Sequence, residues 1–229
     1  MTKISFIIPV LNEAALITQT LSTLQPLRAA GHELIVVDGG SSDDTIALSK
    51  PLADQIIRCS RGRGRQMNGG AKTARGDILL FLHSDTPLPK GADQLIIREM
   101  EKRRKNWGRF DVRLSGRHFL FRIVELLMNL RSRITCIATG DQAIFVQRKI
   151  FETVGGFPDI DLMEDIALSR LLKRYGSPLC LWQRVMTSNR RWQRNGISRT
   201  ILLMWFLRLA YFYKTDPKRL AKLYESRKE

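Results

Sequence analysis

Three apolar runs within the first 85 residues each end in acidic or amide-bearing groups, and that repetition places the chain in the α/β class. The runs are Ile7-Ile8-Pro9-Val10-Leu11-Asn12-Glu13, Ile35-Val36-Val37-Asp38-Gly39 and Ile78-Leu79-Leu80-Phe81-Leu82-His83-Ser84-Asp85. Core strands have no use for a carboxylate at the same end three times. In an open α/β sheet, ligands bind outside the carboxyl ends of the strands, so these groups are expected to converge on one crevice. A chain built this way reads as an enzyme.

The pattern predicts a strand at 4–10 with Asn12 capping the next helix, in which Ile17, Thr20, Leu21 and Leu24 share a face. A second strand is expected at 33–38, followed by the tight turn Gly39-Gly40-Ser41-Ser42-Asp43-Asp44-Thr45 and a short helix. Further strands are expected at 55–59 and 77–83, with helices at 66–75 and 89–105. The unit so far is β-α-β-α-β-α-β, and its Val/Ile/Leu-rich strands suit a sheet covered on both faces. Beyond residue 106 the rhythm changes. Strands are expected at 107–115, 139–147 and 179–184, helices at 118–133 and 166–175, and a helical tail in two pieces divided near Pro217. One domain is expected over 1–229, made of a first half (1–105), a second half (106–195) and C-terminal helices (196–229).

The 229 residues carry a net charge of +16, which argues for anionic partners and says nothing about fold. Residues 58–75 hold six Lys or Arg and no acid, the stretch 98–133 is net +7, and 184–229 is net +9. The remainder is net negative and contains most of the carboxylates singled out below. Cys59, Cys136 and Cys180 are far apart, with no metal-ligand spacing. Met1-Thr2-Lys3 leads directly into a strand, so no signal peptide is read and a reduced, cytoplasmic protein is expected. No apolar run reaches the length a transmembrane helix requires; Ile201 to Tyr213 comes nearest and is interrupted by Arg208.

Each marked residue admits two readings. Asp38 is either a turn residue accepting backbone N–H bonds or a contact to a nucleotide. Asp85 admits the same pair, and as a carboxylate at a strand tip it suits a divalent cation. His83, two residues earlier, would point to the same side of an extended segment. Glu164-Asp165 at a helix start is either favourable capping or a general base. Arg61, Arg63 and Arg65 form either a solvated loop or a clamp on phosphates, and no Gly-Lys-Ser/Thr follows that would make an ATPase-type loop. Arg190, Arg191 and Arg194 surround Trp192, but nucleic acid is not expected beside an acidic sheet edge.

Taken in order, Ile-Pro-Val-Leu-Asn-Glu (8–13), Val-Asp-Gly-Gly-Ser-Ser-Asp-Asp-Thr (37–45), Phe-Leu-His-Ser-Asp (81–85), Gly-Asp-Gln (140–142), Glu-Asp (164–165) and Arg-Arg-Trp (190–192) resemble the family 2 glycosyltransferases. The likeness spans roughly residues 4–195. It implies a GT-A fold, with a Rossmann-like, mostly parallel central sheet, helices on both faces and a mixed acceptor-side half. It also implies an inverting hexosyl transfer from a UDP- or GDP-sugar to a small-molecule or lipid-linked acceptor, assisted by Mn2+ or Mg2+. On this likeness Pro9, Glu13, Asp38, Arg65 and Asp85 serve the nucleotide sugar. Asp165 matches the catalytic base, and Asp141, Gln142, Glu164, Arg190 and Trp192 fall on the acceptor or diphosphate side. Asp85 matches the last acid of the family's metal motif. His83 replaces the first acid, and imidazole suits Mn2+ better than Mg2+. Met186 or Thr187 stands where a polymer-forming relative carries Gln, so a long polymer is not expected. Details such as His-Ser-Asp and Arg-Arg-Trp-Gln-Arg-Asn-Gly resemble a bacterial subgroup linked to arsenosugar biosynthesis. The rival readings are a nucleotide-binding scaffold or regulatory protein without turnover, and a nucleotidyltransferase.

In the helix at 118–133, His118, Arg122, Glu125 and Asn129 form a narrow polar stripe within a wide apolar arc. The favoured expectation is that this arc and Ile201–Tyr213 cover each other. A homodimer and reversible contact with anionic membrane at its inner face are the alternatives.

Overall fold

Alternate residues of the first apolar run serve two cores. Phe6, Ile8 and Val10 belong to one buried cluster and Ile7 to another, as the period of two in a strand requires. The computed structural model describes residues 2–116, 118–188 and 196–225. Its first half contains β1 (Ile4–Val10), α1 (Ala14–Ala29), β2 (Glu33–Asp38), α2 (Thr45–Ser49), β3 (Gln55–Arg58), α3 (Arg63–Thr73), β4 (Ile78–Phe81) and α4 (Ala92–Lys102). The second half contains β5 (Trp107–Leu114), α5 (Phe119–Thr135), β6 (Phe145–Gln147), α6 (Arg148–Thr153), α7 (Glu164–Leu172) and β7 (Leu179–Thr187). Helices α8 (Ile197–Phe212) and α9 (Pro217–Glu225) follow.

The sheet has the order β3-β2-β1-β4-β6-β5-β7. Strands β3, β2, β1 and β4 pair in parallel. β6 is antiparallel to both β4 and β5, and β7 is parallel to β5. β6 therefore runs against its neighbours in an otherwise parallel α/β sheet, the GT-A arrangement with a mixed second half. One face packs Ile8, Val36 and Leu80 against α1 and α4 through Ile17, Leu21, Ile96 and Met100. The other packs Ile7, Val37 and Phe81 against Met67 of α3 and Leu168 of α7.

Several elements differ from expectation. Asn12 does not cap α1. Its side chain accepts the Ser42 N–H at 2.8 Å, while the Asp43 carboxylate from the next loop takes the Ala14 N–H at 3.1 Å. The Thr45 hydroxyl on that same carboxylate holds Asp43 below its ordinary pKa. α3 starts at Arg63, and its Gly69-Gly70 pair lets it lie directly on the sheet. A Cβ on Gly70 would stand 2.5 Å from Ile7 and 2.8 Å from Val37. The strand expected at 139–147 is confined to β6. Its first part is the 3-10 turn Gly140–Gln142, fixed by the Thr139 N–H donating to the Gln142 side chain at 3.1 Å. α6 was not foreseen, and β7 continues to Thr187.

Helix α5 is turned inside out relative to an ordinary surface helix. The later part of its polar stripe faces inward, with Glu125 and Asn129 buried beside Ser132, while His118, Phe119, Ile123, Leu126, Leu127, Leu130 and Ile134 are exposed. The reason lies in β5. Short β6 covers only Trp107 and Gly108 of that strand. Further along, Asn129 bonds both the N–H and C=O of Val112 at 2.9 and 3.0 Å, and Glu125 accepts the Leu114 N–H at 2.7 Å. Buried backbone groups left unpaired are costly, and the stripe does the work of the missing strand. α8 likewise exposes Leu202, Trp205, Phe206 and Leu209. The two arcs therefore do not cover each other. Contact between them comes through Ile201, which packs against the cluster of Leu114, Phe121 and Val124.

Candidate active site

The carboxyl ends of β1, β2 and β4 lie at one sheet edge, because Val10 pairs with Asp38 and Ile7 with Phe81. Gln66 ties that edge together by donating to the carbonyls of Val10 and Val37 at 2.9 and 2.8 Å. Above it opens a crevice of about 530 Å3. Pro9, Glu13, His83, Ser84 and Asp85 line its floor, and Arg61 and Arg63 enter from the loop before α3. Gly140, Asp141, Glu164 and Asp165 form one side. Thr200, Met204, Leu207, Arg208 and Tyr224, from α8 and α9, form the roof.

Local geometry sets each side chain. His83–Asp85 is a turn and not an extended segment, with the Thr86 N–H bonding back to the His83 carbonyl at 3.1 Å. The His83 ring leans toward the opposite side, where its Nδ1 is 3.7 Å from Asp141 Oδ1. A Cβ on Gly140 would fall 2.7 Å from His83 Nε2, so only glycine admits the ring there. Asp165 is held by two backbone donors, Gly140 N–H at 2.8 Å and Ile166 N–H at 2.7 Å. Beside it, Glu164 is buried. Burial first, and then the Asp165 charge, push its carboxyl up to about 7, with Arg63 opposing.

The other expected site residues have these surroundings. Asp38 is buried, and its carboxylate accepts the N–H groups of Gly40 at 3.0 Å and Ser41 at 3.1 Å. Gln142 is fully buried beneath the Gly140 turn. Arg65 does not line the crevice. It pairs with Asp159 at 2.6 Å and Asp161 at 3.4 Å, whereas Arg61 and Arg63 do line the crevice. Arg190 and Trp192 lie outside the described residues. The contribution of α8 and α9 was missed, and its only sequence signal is Arg208 interrupting an apolar run.

The family description "Glycosyl transferase family 2" matches residues 5–151. The chain belongs to this enzyme family. A PGL/p-HBAD biosynthesis glycosyltransferase of Mycobacterium bovis is 33% identical over 166 residues, covering 67% of this chain and 62% of the relative. The chain thus spans less than two thirds of the length of that relative. Among solved structures, the mannosyltransferase PcManGT from Pyrobaculum calidifontis, in complex with GDP-Man and Mn2+, is similar with a TM-score of 0.66 at 20% identity, over 91% of this chain and 61% of that one. Glucosyl-3-phosphoglycerate synthase from Mycobacterium tuberculosis, solved with Mn2+, UDP and glucosyl-3-phosphoglycerate, is similar with a TM-score of 0.61 at 21% identity, over 88% and 78% of the two chains.

Proposed function

We propose that this chain transfers a hexose from a UDP- or GDP-sugar to an acceptor hydroxyl with inversion, using Asp165 as general base. The observation that carries the reading is Asp165 itself. It is an anchored carboxylate on the crevice side, across from Glu13 and Asp85, with Arg61 and Arg63 nearby. In this reading Asp165 takes the hydroxyl proton as the acceptor oxygen bonds to the anomeric carbon. The bond from that carbon to the diphosphate breaks, and the leaving nucleoside diphosphate keeps the electron pair. Arg61 and Arg63 supply positive charge toward it.

Among the described residues no group of three His, Cys, Asp or Glu could hold a metal alone. One carboxylate together with substrate phosphates and water is an ordinary setting for Mg2+, so Asp85 fits a shared site. His83, turned toward Asp141, fits a ligand role less well. A Mn2+ or Mg2+ ion held there would neutralise charge on the diphosphate.

Among the described residues no helix is long and apolar enough to cross a membrane. The exposed arcs of α5 and α8, with Arg199, Lys214 and Lys218 also exposed, support reversible contact with an anionic membrane. We place the reaction at its inner, cytoplasmic face, with a lipid-linked or small-molecule acceptor. The likeness to the arsenosugar-linked subgroup is retained as one candidate acceptor chemistry. A panel of UDP- and GDP-sugars with simple acceptors tests the proposal, and nucleoside diphosphate release is the expected result. Pyrophosphate release would favour the nucleotidyltransferase, and tight binding without turnover the scaffold.

A further inference from the structure

Of the two backbone donors on Asp165, the Ile166 N–H belongs to the very next residue and does not tie the carboxylate to any other element. The Gly140 N–H, at 2.8 Å, does. The Gly140–Gln142 turn therefore sets where this carboxylate stands, and the turn is held from two sides. From beneath, Gln142 is fully buried and its side chain accepts the Thr139 N–H at 3.1 Å. From the crevice side, the His83 ring rests on Gly140, where a Cβ would meet Nε2 at 2.7 Å and Cε1 at 2.9 Å. The same Cβ would stand 3.9 Å from Asp165 Oδ2, so the ring and the carboxylate flank one glycine.

His83 is firmly seated for such a role. It follows β4 directly, with the Leu82 N–H bonded to the Ile7 carbonyl at 3.0 Å and the Thr86 N–H to the His83 carbonyl at 3.1 Å. Its side chain is 13% exposed, and its Nδ1 stands 3.7 Å from Asp141 Oδ1 on the same turn. The ring thus meets the turn twice, by packing at Gly140 and by a polar approach at Asp141. An acid at this position would serve badly. Asp85, Asp141, Glu164 and Asp165 already line the crevice, and like charges a few ångströms apart repel. An imidazole fills the space with a flat, polar group that adds no negative charge.

We propose that His83 is a positioning residue, which holds the Gly140 turn and through it the Asp165 carboxylate in place. It acts by contact with the turn and not as a metal ligand. That the carboxylate so held is the catalytic base rests on the transfer reading above.

Amide hydrogen exchange of the full chain tests the positioning without turnover. The Gly140 N–H should exchange slowly in wild type, because Asp165 accepts it. H83A and H83D should speed that exchange about tenfold or more by freeing the turn locally, while amides of β1 and β2 keep their wild-type rates and report an intact fold. H83Q, whose flat amide reaches the same place, should stay near wild type. G140A should also speed opening of the turn, measured at its own N–H, but should add little in the H83A background, where the ring it collides with is gone. In turnover, H83A and H83D should lower kcat by up to about a hundredfold, the cost of a misplacement of about 1 Å, with the donor KM unchanged. A metal ligand would behave otherwise: H83D would keep activity, and H83A would weaken nucleotide binding in Mn2+ as much as D85A. Either of those results, or wild-type exchange at Gly140 in H83A, would overturn the proposal. The expected exchange pattern in a chain that transfers no sugar from any donor would support the positioning and refute the transfer reading.

Discussion

Glu164→Gln should stabilise the protein at alkaline pH and do much less at acid pH. The Glu164 carboxyl ionises at about 7 in the fold, against 4.5 for the ordinary group. Between these two values the native state holds a proton that the unfolded chain has released. Stability therefore falls as pH rises through the window and levels off above about 7. At about 1.36 kcal/mol per unit, the full gap is worth about 3 kcal/mol at pH 8 and about 1 kcal/mol at pH 5.5. Glutamine matches the protonated carboxyl in size and never ionises, so the variant escapes the penalty at both pH values. Urea unfolding of wild type and variant at the two pH values measures the difference, and contributions from titrating groups remote from Glu164 cancel in the comparison. The variant should gain about 2 kcal/mol more over wild type at pH 8 than at pH 5.5. The same difference at both pH values would show that burial and the Asp165 charge do not act on Glu164 as argued.

Three other perturbations address separate parts of the account. Asp85→Ala should weaken nucleoside diphosphate binding in Mn2+ and leave it unchanged in EDTA, while His83→Ala does less; calorimetric titration in both conditions decides, and equal losses would return Asp85 to a structural role. Gly70→Ala should destabilise by about 1–3 kcal/mol, the usual cost of forcing extra atoms into a packed core, because its Cβ would meet Ile7 and Val37; an unchanged melting temperature would refute the close approach of α3 to the sheet. Cosedimentation with anionic vesicles should be strong at low salt and weak at physiological salt, where charges are screened beyond about 8 Å; absence of binding throughout would point to a second copy of the chain on the apolar arcs.

The sheet edge was legible because it is a local pattern, an apolar run followed by a carboxylate, and β1, β2 and β4 carry it where expected. Orientation was harder to read. Periodicity states which residues of α5 share a face, but not which face turns inward, and Glu125 and Asn129 turn inward because β6 is too short to pair with Val112 and Leu114. The arginine cluster was read as a unit, yet helix geometry from Arg63 onward sends Arg65 to Asp159 and leaves Arg61 and Arg63 at the crevice. Nothing local connects Arg208 with Asp165. The packing of α8 over Met163 and Ile166 brings both to the crevice.

The central claim is that Asp165 removes the acceptor proton in a single displacement, and single-turnover kinetics of Asp165→Asn test it most directly. The substitution is nearly isosteric, and one well-placed general base is worth about 10²–10⁴ in rate. The account predicts a loss of that size in the chemical step with donor affinity unchanged and the fold intact. Transfer at the wild-type rate would contradict it.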